Sequence, residues 1–413
     1  MKRLTLLLVA VALLWPAAAN AQLTMQMSNG WSFTFAGNVN AFWVFTKQNN
    51  SGPSNSSIRT GLLPAFATFE ARGKEAGMNL GVHFGFAPQI NNGAVHDNFG
   101  DRAIGVGTGT QAGAQIDMRQ VYLTIGFKDG SQILAGRELG LFGRQNIVQD
   151  MTLFGVGAVG IGGGQGGGTT LGRIGYGYIY PNFDAQVTYS TKGGTPAQIS
   201  IGLFQPSVLG AVGDVVADPT SNAYSFTSIP RVEAEVTYNQ KSGSTKYMVW
   251  AGGLWQTTKN APTGGRSASS FGGTAGVKVD VSDLSVVVTG YIGKGLGTTL
   301  MFSGGEVAGT GGATTTQLRS SDGGYAQVMY HANKGKTSVG ASWGFSRLKN
   351  NNTAAPNGDG NNNVRSNLYA FTGGIYHQWT KSLKLVFEGT QEGTTNAGRA
   401  KQIDVSGGFM LFF

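Results

Sequence analysis

The stretch Ile403-Asp404-Val405-Ser406-Gly407-Gly408-Phe409-Met410-Leu411-Phe412-Phe413 sets Ile403, Val405, Gly407, Phe409, Leu411 and Phe413 on one parity. Gln402, Asp404, Ser406 and Gly408 take the other. Period two is the signature of a strand, whose successive side chains point to opposite faces. One face of this strand meets apolar surroundings and the other meets water.

The same period recurs upstream. Phe33, Phe35, Val39, Ala41, Trp43 and Phe45 alternate with Ser32, Thr34, Asn38 and Asn40, and Met78, Leu80, Val82, Phe84 and Phe86 alternate with Asn79, Gly81, His83 and Gly85. Lys128-Asp129-Gly130 is a hairpin turn between Asp117–Phe127 and Ser131–Glu138. Traced to the end, the pattern predicts sixteen strands. Short turns such as Ser282-Asp283, Asn333-Lys334-Gly335 and Thr380-Lys381 alternate with long polar loops, among them Pro88–Ile116, Leu139–Pro181 and Gly295–Asp322. Strands of about ten residues, short turns at one end and long loops at the other are what a transmembrane antiparallel β-barrel requires.

Composition points the same way. Only 12% of the 413 residues are charged while 67 are Gly, and soluble domains carry about a quarter charged residues. A soluble sandwich also alternates apolar and polar residues, but the low charge and aromatic strand ends such as Tyr238, Trp255, Tyr330, Trp379 and Phe413 favour the barrel. A β-solenoid would repeat at a fixed period, and no such self-similarity is seen.

Residues 1–21 have the layout of a secretory signal: Lys2 and Arg3, an apolar run from Leu4 to Trp15, and Ala19-Asn20-Ala21 before Gln22. Its removal would leave residues 22–413 with 28 basic and 21 acidic residues, a net charge of +7. The basic residues are scattered rather than clustered, so no nucleic-acid partner is expected. With no Cys there is neither a disulfide framework nor a thiolate metal site.

The whole layout, together with Arg119-Gln120-Val121-Tyr122-Leu123-Thr124-Ile125-Gly126-Phe127 followed by Gly136-Arg137, resembles the sixteen-stranded trimeric porins of Gram-negative outer membranes. The resemblance implies a homotrimer among outer-membrane lipid and lipopolysaccharide, with Pro88–Ile116 as the loop that latches onto a neighbour. It also implies an inward-folded third loop, here Leu139–Pro181, that narrows the pore between basic wall and acidic loop residues. The constriction residues carried over are Arg137 and Arg119, joined by Glu138, Arg144 and Asp150 on or beside the loop. Strict alternation sets Arg119 on the face of Val121, Leu123 and Ile125, so only a bulge or a strand-end position would turn it inward. Replacing Arg137 by Glu is expected to move selectivity toward cations.

Charges at alternate positions mark the remaining pore wall: Glu70, Arg72 and Lys74; His83; Arg231, Glu233 and Glu235; Lys278 and Asp280. A Lys or Arg facing lipid at mid-bilayer would cost about 2–4 kcal/mol, so these residues face water. Gly155-Val156-Gly157-Ala158-Val159-Gly160 matches the dinucleotide fingerprint, but it runs into Ile161-Gly162-Gly163-Gly164, which cannot start the helix that motif needs. The four His are dispersed and no G-x-S-x-G is present. No cofactor, metal or catalytic site is expected. The reading is a passive channel for small hydrophilic solutes and ions with mild anion preference; the alternatives are a substrate-specific channel and a barrel-based enzyme or adhesin.

Overall fold

A computed structural model describes residues 23–49, 52–90, 116–161, 168–194, 196–209, 226–259, 267–302, 307–308, 317–349, 367–395 and 399–413. The expected signal at 1–21 and most of the latching loop Pro88–Ile116 lie outside the described residues.

Sixteen strands form the wall: β1 (Ser32–Gln48), β2 (Phe66–Glu75), β3 (Met78–Pro88), β4 (Ile116–Gly126), β5 (Gln132–Leu139), β6 (Phe183–Ser190), β7 (Ala197–Phe204), β8 (Arg231–Ser242), β9 (Thr245–Lys259), β10 (Ser267–Val281), β11 (Leu284–Lys294), β12 (Ser320–Ala332), β13 (Thr337–Leu348), β14 (Asn367–Gln378), β15 (Leu383–Thr394) and β16 (Lys401–Phe412). They correspond one for one to the strands read from the alternation. Each pairs antiparallel with its sequence neighbours, and β1 also pairs with β16, from Asn38 opposite Phe412 to Gln48 opposite Gln402. The sheet is therefore a closed barrel, and closure leaves no wall strand with an unpaired edge.

The seam is finished by two short strands on β1. Leu23–Gln26 pairs with its first residues and Ser54–Arg59 with its last. Phe413 exchanges both backbone hydrogen bonds with Gly37, at 2.8 and 3.0 Å, and its ring lies 5.0 Å from that of Phe35. Gly37 is required there, since a Cβ would stand 2.1 Å from the Phe66 carbonyl oxygen.

The outer face is apolar. On every strand but β5 at least one large apolar side chain stands exposed, from Val39 and Trp43 on β1 to Phe409 and Leu411 on β16. A belt of this extent far exceeds the few hundred Å² of apolar patch that a soluble monomer tolerates. Exposed Tyr238, Tyr330 and Trp379 mark its short-turn end, and Trp255, Phe271 and Trp343 its long-loop end. The opposite parity is polar and buried, as in Gln402, Asp404 and Ser406 beside exposed Ile403.

Candidate functional site

The buried parity faces a long segment, described over residues 140–161 and 168–181, which leaves β5 and returns to β6. Its entry is set by Gly143 at φ +79, which turns the chain into the short helix α1 (Arg144–Val148). Asp150 then starts a 3₁₀ turn over Met151–Phe154 by accepting from the backbone N–H of Thr152 at 2.9 Å and from its hydroxyl at 2.8 Å. Ser, Thr, Asp and Asn are favoured at such starts because their side-chain oxygens satisfy backbone donors that the turn leaves unpaired.

From there the segment is tied to wall side chains one strand after another. Glu233 on β8 accepts from the backbone N–H groups of Leu141 and Phe142 at 2.8 and 2.9 Å, and from Arg231 Nε at 2.8 Å. Arg231 also pairs with Asp184 on β6. Glu235 takes Arg144 Nη2 at 2.5 Å and Gln145 Nε2 at 3.1 Å. Asn146 is completely engaged: Oδ1 accepts from Trp250 Nε1 and Thr289 Oγ1, Nδ2 donates to Thr274 Oγ1, and its carbonyl accepts from Tyr325. Gln327 on β12 accepts from the Met151 N–H and donates to the Gln149 carbonyl.

The glycine-rich stretch 155–160 does cradle an anion, but the anion belongs to the wall. Glu388 Oε2 on β15 accepts from the N–H of Val156 at 2.7 Å and of Gly157 at 2.8 Å, while Oε1 takes the Tyr376 hydroxyl at 2.5 Å. One turn farther, Gly160 N–H donates to Glu392 at 3.2 Å. Hydrogen bonds to an ionised acceptor are about twice as strong as neutral ones. A side chain at Gly155 would put its Cβ 2.0 Å from Glu388 Oε1, and Gly157 sits at φ +58.

The return limb carries Arg173, fully buried, whose guanidinium donates to the carbonyls of Ala370 at 2.5 Å and of Ser342. Tyr178 donates to Asp150 Oδ2 at 2.9 Å. Burial pushes the Asp150 carboxyl above and the Arg173 guanidinium below its ordinary range, and each one's charge opposes the other's shift. Buried charge costs free energy unless paired and hydrogen-bonded, so these links hold the limb in one place.

Two further loops brace this segment. Leu296, Met301 and Phe302, from the connection after β11, pack with Phe142, Ile179 and Leu209 in one buried cluster. Tyr180 N–H donates to the Thr299 carbonyl at 2.9 Å, and Asn182 Nδ2 to that of Met301 at 3.2 Å. On the other side Arg59 donates to the carbonyls of Gly168 and Thr169.

Most charges picked out by alternation take the interior parity. Arg231, Glu233 and Glu235 are buried there beside Arg144, while Glu138 accepts from Gln120 Nε2 at 2.7 Å. Glu70 pairs with Arg72 and lies 3.6 Å from His83, whose ring stacks on Tyr122 at 4.8 Å. Lys74 is exposed near the β2–β3 turn, and Lys278 lies 4.0 Å from Asp280. Arg119 is turned inward by a bulge: Gly85 opposes Gln120 while Phe86 opposes Met118, so Arg119 is the extra residue. It is buried, pairs with Asp117 at 2.7 Å, and lies over the Phe183 ring.

Arg137 requires a correction. It is exposed, opposite Val121 and Ala185, on the outer parity with Ile133 and Ala135, because Glu138 takes the interior position. An Arg137→Glu variant is therefore expected to leave the reversal potential in a KCl gradient unchanged; a cationic shift would return Arg137 to the conduction path.

Glu388, Glu392 and Arg59 escaped the sequence reading. The first two carried a usable signal, since Glu388, Thr390 and Glu392 alternate with Phe387 and Gly389 just as the recognised wall charges alternate with their neighbours. Among the described residues, no group of three or more His, Cys, Asp or Glu could hold a metal ion.

No protein-family model matches the sequence, and no curated protein does. Solved structures do resemble it. The outer-membrane channel DcaP of Acinetobacter baumannii superposes with a TM-score of 0.64 at 12% identity, over 94% of this chain and 99% of its own. The anion-selective porin of Comamonas acidovorans gives 0.60 at 12% over 93% and 100%, and Salmonella typhi OmpF gives 0.58 at 11% over 95% and 100%. The fold is that of the Gram-negative outer-membrane porins.

Proposed function

We propose that the protein is an outer-membrane porin, a water-filled channel for passive diffusion of ions and small hydrophilic solutes, with residues 140–181 as its constriction. The observation that carries this reading is a closed barrel, apolar outside, whose interior charged side chains hydrogen-bond to one segment along β8 to β15. Sixteen strands enclose an aqueous lumen, and a segment fixed across it sets the size limit. Such a channel needs no bond-making chemistry. Delivery by the N-terminal signal and assembly as a homotrimer belong to the same reading.

Charge supports a preference for anions. The acids along the segment are engaged by backbone N–H groups and by Arg144 and Arg231, while Lys278, Lys334, Lys336 and Lys384 line the space toward the short turns. Purified protein in planar bilayers under a KCl gradient is expected to conduct with a reversal potential of anionic sign. A cationic sign would reject the preference, and an absence of conducting events would reject the channel. Sedimentation in detergent at three times the chain mass would support the trimer, and at one chain mass would exclude it.

A further inference from the structure

Between residues 148–154 and the short turns after β12 and β14 lies a cavity of about 450 Å³. We propose that it is a binding site for a small organic anion, a carboxylate joined to an apolar body; this rests on the channel reading above and names the solute class that the channel would hold. Four lysines line the cavity: Lys278, Lys334, Lys336 and Lys384. Asp280 lies 4.0 Å from the first of them. Asp150 is the acid that faces the cavity, and both its oxygens already accept hydrogen bonds, from Thr152 and from Tyr178. The space therefore carries a local excess of positive charge, which concentrates anions.

The walls mix apolar side chains, Val148, Met151, Phe154 and Met329, with polar ones such as Gln149, Gln327 and Gln378. Phe154 and Met329 line the cavity with the lysines, and Lys384, only 3% exposed, holds its ammonium 5.1 Å from the centre of the Phe154 ring. An ammonium set beside an aromatic face offers a carboxylate its counter-charge and the attached apolar body a surface to cover. The volume suits a ring-sized molecule, since ligand pockets run from about 300 to 1,000 Å³. An organic cation would meet the lysines.

Benzoate is the probe. Equilibrium dialysis against detergent-solubilised protein is expected to show saturable retention of benzoate, weaker retention of benzyl alcohol, and none of benzylammonium. Lys384→Met and Lys336→Gln are each expected to weaken benzoate retention several-fold; Lys336 lies beside an exposed turn, so its variant tests the site even where the buried change prevents folding. In bilayers benzoate added from the short-turn side should reduce the KCl current with the same concentration dependence. No saturable retention, equal retention of benzyl alcohol, or wild-type retention by both variants would overturn the site. Conducting protein that does not retain benzoate sinks the site alone, whereas retention by protein that never conducts sinks the channel and leaves the site standing.

Discussion

Replacing Val288 by Arg is expected to lower the unfolding free energy in lipid vesicles by about 2–4 kcal/mol, while Ser269→Arg costs at most about 1 kcal/mol. Val288 sits halfway along β11, on the outer parity, 48% exposed, between Val277 and Ala326. At that depth a guanidinium has neither water nor a partner to replace its hydration. Ser269 takes the same parity on β10 but lies beyond Trp255 and Phe271, at the long-loop rim, where the added charge can reach headgroups. Urea titration of the vesicle-inserted barrel, followed by tryptophan fluorescence, measures both. Equal costs at the two depths would mean that the apolar belt faces something other than a bilayer.

The second large effect is expected at Glu388. Its carboxylate receives two backbone N–H groups and one phenol, each at 2.8 Å or less. Hydrogen bonds to a charged group contribute about 1.5–3 kcal/mol each. Glu388→Gln keeps the volume but removes the charge, and it puts amide donors where acceptors are needed. The limb at 156–160 should then detach intermittently, giving single-channel traces with added conductance steps above the wild-type level. Tyr376→Phe removes one donor and leaves the carboxylate its backbone partners, so a smaller change is expected. A quiet Glu388→Gln channel of unchanged conductance would show that the wall does not hold the segment through this residue.

The two arginines of the resemblance show where sequence reasoning held and where it did not. Alternation through Ile133, Ala135 and Arg137 already assigns Arg137 to the outer face, and the structure agrees with the period rather than with the family match. Arg119 goes the other way. It has outer parity in the sequence, and one inserted residue opposite Gly85–Phe86 reverses it. A bulge depends on how two strands pair, so the β4 sequence by itself does not disclose it.

Strand number, the apolar exterior and most interior charges were determined by the sequence alone. A two-residue period is local, and every wall strand must show it if one face is to be apolar and the other wet. The path of residues 140–161 and 168–181 was decided only in three dimensions. Its glycine-rich limb has no period of its own, and its partner Glu388 lies more than two hundred residues away. Nor could the bracing by Leu296, Met301 and Phe302 be read from a polar, Gly-rich loop. These contacts exist because closure brings distant strands around one lumen, and buried backbone donors take whichever acceptors the wall presents.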